Sequence, residues 1–138
     1  MNSFRKVISI KTDKKEEIIN ITGRVREILS KSEIKEGLLL VYSMHTSSGV
    51  YISDSDTSLN DDLTDLLSDL IPEDKGYKHN LTDYKKNAPG HLKVILSSHH
   101  VVVPVTEGRM DLGTYQTIYY SEFDGMREKE VLVKIMGE

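Results

Sequence analysis

Apolar residues recur at helical spacing in two long segments of the chain. The first segment, residues 14–30, follows Asp13, and Glu16 lies three residues after Asp13, which is the spacing of a capping box. The second segment begins at Ser58, places its leucines along one face and ends before Pro72. Each pattern predicts an amphipathic helix, so we expect two main helices.

Alternating or continuous apolar runs predict about six strands. The runs are residues 4–12, LLLVYSM after Gly37, GVYIS, HHVVVPVTE, TYQTIYYSEF and EKEVLVKIMGE. We expect the last three strands to be antiparallel neighbours. Asn87 is expected to start a short helix, and GRMDLG is expected to form a turn. Residues 73–88 show no hydrophobic periodicity, so we expect them to form a loop. Together these elements predict a strand-rich α+β fold over residues 1–138, as a single domain.

Composition narrows the class of protein. The 138 residues include 38% hydrophobic and 29% charged residues, with a net charge of −4, which is typical of a globular domain without the basic face of a nucleic-acid binder. The absence of cysteine excludes disulfides, thiolate metal ligands and a thiol nucleophile. No apolar run is long enough for a membrane span or a signal peptide, so we expect a cytoplasmic protein that binds neither membranes nor nucleic acid.

Histidine is the residue type with the clearest chemical potential in this sequence. His45 ends a predicted strand, His79 lies in the long loop and His91 lies in the short helix, while His99 and His100 are adjacent. Three neutral imidazoles can hold one transition-metal ion and leave a position for water. Because adjacent residues of a strand point to opposite faces, at most one of His99 and His100 joins a given site. The alternative is that each histidine is a surface or hydrogen-bonded residue.

Hydroxyl and carboxylate groups surround His45 in the sequence. Ser48 follows it closely and invites a nucleophilic role, although no nucleophile elbow is present. Asp54 and Asp56 are expected to cap the second helix, because carboxylates are favoured near a helix N-terminus, but they also stand near enough in sequence to reach a site at His45. Glu122, at the end of a predicted strand, is a candidate metal ligand, general base or solvated carboxylate.

The segment GRMDLGTYQ carries further polar groups between two glycines and a strand. It is not a phosphate-binding loop of the Walker type, because no Gly-Lys-Ser/Thr follows. Arg109 is a candidate to meet a phosphate or carboxylate group, and Thr114 and Gln116 are candidates to assist it. The alternative is an ordinary turn between strands.

Several of these motifs together resemble one protein family. HTSSGVYISDSD, YKHN, APGHLK, PVTEGRMDLGTYQTIYYSE and a terminal GE are similar to the YjbQ family, whose members are often called secondary thiamine-phosphate synthases. The resemblance covers about residues 4 to 138. It implies an α+β domain with a β-sandwich-like core, a homotrimer, and a metal held by His45, His79 and His91, whereas His99 and His100 do not match recurring positions.

The resemblance and the residues lead to two functional hypotheses. The first is a metal-dependent enzyme that acts on a small phosphorylated or anionic substrate, with zinc rather than magnesium, because histidines suit zinc better. In it Glu122 and Ser48 are catalytic, while Arg109, Thr114 and Gln116 hold the ligand. Thiamine-phosphate synthesis, which joins a pyrimidine diphosphate to a thiazole phosphate, would be a weak side activity. The second is a non-catalytic trimer that binds a metal or ligand.

Overall fold

Eight strands form two antiparallel sheets in the computed structural model, which describes residues 1–138. The strands are β1 (Asn2–Lys11), β2 (Glu17–Asn20), β3 (Gly37–Ser43), β4 (Ser48–Asp54), β5 (His100–Thr106), β6 (Arg109–Met110), β7 (Gln116–Glu122) and β8 (Glu128–Gly137). The larger sheet has the order β1-β8-β3-β5-β6, and the smaller one has the order β2-β7-β4. Two strands per sheet are therefore edges, and β8, β3, β5 and β7 are interior.

Four helices complete the domain. They are α1 (Thr22–Ser32), α2 (Ser58–Leu70), the single-turn α3 (His79–Thr82) and α4 (Ala88–Ser97). The short helix predicted to start at Asn87 is α4, which begins at Ala88 and is longer than expected. None of the four helices combines the length and apolar character that a membrane-crossing helix needs.

The main core lies between the inner faces of the two sheets and α1. On β8, alternate residues Val131, Val133 and Ile135 are fully buried, as a half-buried strand requires. They belong to one apolar cluster with Ile118 of β7 and Val25 of α1. This arrangement confirms the predicted α+β domain with a sandwich-like core.

A second, smaller apolar cluster joins the helices that lie beside the sheets. Leu67 of α2, Val94 of α4 and Phe123 after β7 are buried together, with Leu63 packed against them. Buried aliphatic and aromatic side chains of this kind contribute about 1.5–3 kcal/mol each. The cluster fixes α4, and with it His91, relative to the end of β7.

The predicted helix over residues 14–30 is wrong in its first part. Residues Glu17–Asn20 form β2, which pairs with β7, and α1 begins only at Thr22. The expected capping box does not form, because Glu17 rather than Glu16 accepts the Asp13 N–H at 3.1 Å. Over this short stretch Ile18 and Ile21 have the spacing of a helix, and Ile19 and Ile21 have the alternation of a strand. Pairing with β7 stabilises the strand.

The expectation that the last three long strands are neighbours is also wrong. β8 pairs with β1 and β3, β7 pairs with β2 and β4, and β5 pairs with β3 and β6. Hydrophobic alternation determines which face of a strand is buried, but it does not determine its partner. In addition, residues 109–110 of the predicted turn form β6, and α3 lies inside the predicted loop.

Candidate functional site

The loop that carries His45 connects β3 to β4, strands of different sheets. Its serine hydroxyls point inward: Ser48 Oγ lies 2.9 Å from Ser43 Oγ, and Ser47 Oγ accepts a hydrogen bond from Lys129 Nζ at 2.8 Å. Ser43, Ser47 and Ser48 are all buried. The hydroxyls of this motif therefore hold the loop in place, and Ser48, the candidate nucleophile, faces the interior.

Glu122 lies below this loop and accepts hydrogen bonds from three donors. Tyr120 OH donates to Oε1 at 2.6 Å, the Asp124 N–H donates to Oε2 at 3.1 Å, and Lys129 Nζ donates to Oε2. Burial raises the pKa of Tyr120 and lowers the pKa of Lys129, while the Glu122 carboxylate opposes that second shift. Glu122 contacts no histidine ring here, so the structure places this predicted base in a buried ion pair.

His45 occupies the rim of the loop above that pair. Its Nε2 accepts the backbone N–H of Glu130 at 3.0 Å, which requires an unprotonated Nε2, so the proton of the neutral ring is on Nδ1. Burial, followed by the positive charges of Lys129 and Arg127, lowers the pKa of His45 below 6.5. The fold therefore favours the neutral ring.

His91, on the first turn of α4, is held at both ring nitrogens. Nδ1 lies 3.0 Å from the Thr46 carbonyl oxygen, and Nε2 lies 3.0 Å from Asn87 Oδ1. Asn87 uses its Nδ2 to donate to Asp124 Oδ2 at 2.8 Å, so its oxygen faces the ring. Both ring nitrogens of His91 therefore face oxygen atoms.

His79 stands beside His91 at the start of α3. The two rings meet edge to face with centroids 4.9 Å apart. The Nε2 of His79 lies 3.3 Å from Asp83 Oδ2, and its side chain is 45% exposed. The structure thus brings together two of the predicted metal ligands.

These histidines line two adjoining depressions. The larger is a cleft of about 770 Å³ whose walls include His79, His91, His99 and the apolar side chains of Leu92 and Ile95. The smaller has a volume of about 340 Å³ and is polar, with His45, Ser47, Asp83, Lys85, His91 and Arg127 among its lining residues. His91 and Thr46 line both depressions, so an apolar cleft adjoins a polar one that contains cationic groups.

The predicted three-histidine metal centre does not form within this chain as it stands. No three His, Asp or Glu side chains lie close enough together to hold one ion. His79 and His91 are adjacent, but both nitrogens of His91 face oxygen atoms, and His45 directs Nε2 to the backbone. The donors present therefore do not fit a three-ligand zinc ion without rotation of the rings.

The remaining predicted ligand-binding residues lie at the opposite end of the sheets. Gln116 pairs with Asp54, whereas Glu122, at the other end of β7, pairs with Ser48. Seven residues of strand span about 20 Å. Arg109 pairs with Thr106, at the end of β5 far from His100, and Thr114 precedes Gln116. Arg109, Thr114 and Gln116 are therefore not brought to the histidines of the same chain.

The aspartates after β4 lie at this far end as well. Asp56 Oδ1 accepts from the Ser58 hydroxyl at 2.8 Å and from the Ser58 N–H at 3.1 Å, at the start of α2. These bonds lower the pKa of Asp56. The Asp54 carboxylate accepts the Asp56 N–H at 2.8 Å. Asp56 thus accepts the first N–H of α2, as expected of a capping group, whereas Asp54 only supports Asp56 and the N-cap residue itself is Thr57. Neither aspartate lines the depressions described above.

Two contributors to the site were missed from the sequence. His99 lines the cleft because it precedes β5, so strand alternation does not apply to it. Lys129 supports the His45 loop, and the sequence contains a pattern that could have identified it. Lys129 alternates with the same period as Val131, Val133 and Ile135, so it lies on the buried face of β8. A lysine in such a phase indicates a buried partner.

The structural class is a two-sheet α+β domain with a histidine-lined cleft. Comparison with known proteins then identifies the family. Residues 6–138 match the family described as UPF0047 protein YjbQ-like. The chain is 41% identical over 129 residues to a UPF0047 protein of Archaeoglobus fulgidus, covering 94% of this chain and 98% of that one. It is 35% identical over 138 residues to one from Methanothermobacter thermautotrophicus, covering 100% and 95%. The chain belongs to the YjbQ family.

Solved structures agree with this assignment. A YbjQ-like protein of unknown function from Sulfolobus solfataricus superposes with a TM-score of 0.93 at 31% identity, over 99% of both chains. A hypothetical protein from Aeropyrum pernix gives a TM-score of 0.91 at 34% identity, over 98% of this chain and 99% of that one. The predicted family and fold are confirmed, and neither description names an activity.

Proposed function

We propose that the chain binds and acts on a small molecule that carries an apolar ring and a phosphoryl or similar anionic group. The observation that carries this proposal is the junction at His91 and Thr46, which line both depressions. A ligand that crosses the junction places its apolar part beside Ile95 and its anionic group near Lys85 and Arg127. Ligand sites commonly combine a mainly apolar cleft with a few convergent polar groups.

The polar depression offers suitable donors for such an anion. Arg127 donates to Asp124 Oδ2 at 3.0 Å, yet its side chain is 43% exposed and retains free N–H groups. His91 lines the same depression and would offer a ring N–H to the anion by releasing Thr46 or Asn87. Hydrogen bonds between charged partners contribute about 1.5–3 kcal/mol each. As an enzyme, the chain would use His91 as the acid that protonates a leaving oxygen.

Zinc dependence is part of the proposal, and it requires the rings to turn. His45 would bind through Nε2 in place of the Glu130 N–H, or through Nδ1 after its proton moves to Nε2, and either route gives up the Glu130 hydrogen bond. His91 would release Thr46 or Asn87. Elemental mass spectrometry after extensive dialysis, which retains tightly held ions, tests it on wild type and the triple variant His45→Ala, His79→Ala, His91→Ala. About one zinc per chain in the wild type and none in the variant supports the centre. No tightly held ion in the wild type after incubation with excess zinc overturns it.

Thiamine-phosphate synthesis fits this site as a weak side reaction. Its substrates are heteroaromatic rings with phosphate groups, which match an apolar cleft beside cationic side chains. Histidine is a poor ligand for magnesium, the ion that assists diphosphate departure in such reactions. Incubation of the protein with the pyrimidine diphosphate and the thiazole phosphate tests this, and turnover at an ordinary enzymatic rate would contradict the description as a side reaction.

A non-catalytic ligand-binding protein is the second candidate, and one observation favours it. Glu122 and Ser48, the residues expected to perform chemistry, are fully buried, and each is hydrogen-bonded to another buried side chain. Phosphorus NMR distinguishes the two classes, because an enzyme converts an excess of ligand whereas a carrier returns it unchanged.

In either case we propose a homotrimer that packs through the outer face of the five-stranded sheet.

Calorimetry with phenyl phosphate tests the site itself. Phenyl phosphate is expected to bind more tightly than inorganic phosphate or phenol, because only it fills both depressions. Arg127→Gln should weaken binding about tenfold or more, through loss of a charge-assisted hydrogen bond. Arg109→Gln is the matched control, since Arg109 lies at the far end of the sheets, and it should bind like the wild type. The opposite result for these two variants would place the anion site at the other end.

A further inference from the structure

His99 and His100 bring their Nδ1 atoms to within 3.4 Å of each other in the turn between α4 and β5. The backbone fixes this turn. The Ser98 N–H donates to the Val94 carbonyl at 3.1 Å, and Ser98 Oγ donates to the His100 carbonyl at 3.1 Å. Ser98 itself has a φ of 155°, a value that residues with a side chain rarely adopt. The adjacent histidines therefore face each other because the chain is bent before β5 begins.

Tyr42 of β3 braces both rings from the neighbouring strand. Its ring lies edge-on to His99, with centroids 4.6 Å apart, and 5.9 Å from the ring of His100. Neither Nδ1 atom makes any other hydrogen bond, and both side chains have access to solvent. The pair is thus oriented by an aromatic neighbour while its nitrogens remain available.

The separation of the two nitrogens matches a metal chelate. Two nitrogens bound to one tetrahedral ion at about 2.0–2.1 Å lie about 3.3–3.4 Å apart. We propose that His99 and His100 form a two-histidine site for a late first-row divalent ion such as Zn²⁺ or Ni²⁺, with water completing the coordination. The pair shares no ligand with the centre proposed for His45, His79 and His91, although His99 lines the same cleft as His79 and His91.

Zinc titration by calorimetry tests the pair in a background without the other histidines. The triple variant His45→Gln, His79→Gln, His91→Gln keeps only His99 and His100, and it should still bind about one ion per chain. Adding His99→Gln should weaken that binding about 100-fold, because a single imidazole replaces a chelate. No binding by the folded triple variant, or binding that survives His99→Gln, overturns the proposal.

Nitrogen NMR of the wild-type protein provides a second test, which does not depend on how well the triple variant folds. Imidazole nitrogen signals distinguish protonated, free and metal-bound atoms. Addition of zinc should change the Nδ1 signals of His99 and His100 and leave their Nε2 atoms protonated. Nδ1 signals that stay constant while zinc saturates the protein would overturn the assignment.

Discussion

Lys129 of β8 places its ammonium group on the carboxylate of Glu122 of β7, so that one buried ion pair joins the two sheets. The two side chains are 1% and 0% exposed. Lys129 also donates to Ser47 Oγ, which ties the loop of His45 to the same pair. The candidate site therefore rests on a charged group inside the sandwich rather than on apolar packing alone.

Replacement of Lys129 by methionine is expected to lower the free energy of unfolding by about 3–5 kcal/mol, because it leaves the Glu122 charge buried without a partner. The double variant Lys129→Met, Glu122→Gln should recover part of this loss, since no unpaired charge remains. Urea denaturation measures both effects.

Lys31→Met is the control for that series. Lys31 lies on α1, its side chain is 65% exposed, and it forms an ion pair with Glu27 at 3.2 Å. Exposed pairs of this kind contribute about 0.5 kcal/mol or less. Equal losses for Lys129→Met and Lys31→Met would show that the buried pair has no special role.

The stability of the metal-free protein should fall as the pH drops below about 6.5. Burial and the charges of Lys129 and Arg127 lower the pKa of His45 from 6.5 in the folded state. Between the two pKa values the unfolded chain binds a proton that the folded chain does not, so acid favours unfolding in that interval. Protonation also removes the acceptor for the Glu130 N–H.

Thermal unfolding in the presence of a chelator, at neutral pH and at about pH 5, measures this dependence. His45→Gln lacks the titrating ring and should show a smaller loss over the same interval. If wild type and variant lose the same stability, groups other than His45 cause the acid sensitivity.

Alanine substitutions at Gly49 and Gly23 should change the free energy of unfolding in opposite directions. A Cβ atom on Gly49 would lie 2.0 Å from the Ser98 carbonyl oxygen, a backbone atom that cannot turn away. Gly49→Ala should therefore destabilise the fold, by about 1–3 kcal/mol or more. A Cβ atom on Gly23, inside α1, meets nothing within 4 Å, so Gly23→Ala should stabilise the fold by about 0.5–1 kcal/mol.

The same denaturation experiment reports on both glycines. Because Ser98 precedes the histidine pair, Gly49→Ala should also shift the NMR signals of His99, whereas Gly23→Ala should not. A stabilised Gly49→Ala variant would mean that β4 and the Ser98 turn lie farther apart than the structure places them.

Much of the fold was predictable because burial repeats along the chain. Val131, Val133 and Ile135 alternate with polar or half-buried neighbours, and this alone identifies β8 as a strand with one buried face. The assignment of residues 14–30 failed in part because Ile18 and Ile21 have helical spacing, while Ile19 and Ile21 alternate as in a strand. Strand partners were not predictable, since they depend on contacts between distant segments.

The site was predictable in residue type more than in arrangement. His79 and His91 lie together as expected, and His45 lies in the adjoining depression. The roles of the hydroxyl and carboxylate groups could not be predicted, because a polar residue at a strand end serves a ligand or the interior equally well. Ser48 and Glu122 face inward, and only the three-dimensional contacts show it.

The outer face of the five-stranded sheet is expected to be the contact between copies in the proposed trimer. Leu38, Val102 and Met136 are 57%, 53% and 46% exposed there, on three neighbouring strands, and Leu38 pairs directly with Met136. Apolar side chains grouped on one face mark an interaction surface more often than apolar residues scattered singly. Leu38→Asp should therefore convert the assembly to monomers, because an aspartate buried between subunits would lack a partner.

Light scattering after size-exclusion chromatography measures the change in mass for Leu38→Asp and for a control, Leu81→Asp. Leu81 is 87% exposed on α3, away from this sheet, so its variant should keep the mass of the wild type. A monomeric wild type would contradict the trimer itself. A trimeric Leu38→Asp variant would instead contradict the choice of face, because three charges would then have been added without any cost to assembly. Loss of the trimer in both variants would indicate that general destabilisation, rather than a defined contact, controls the association.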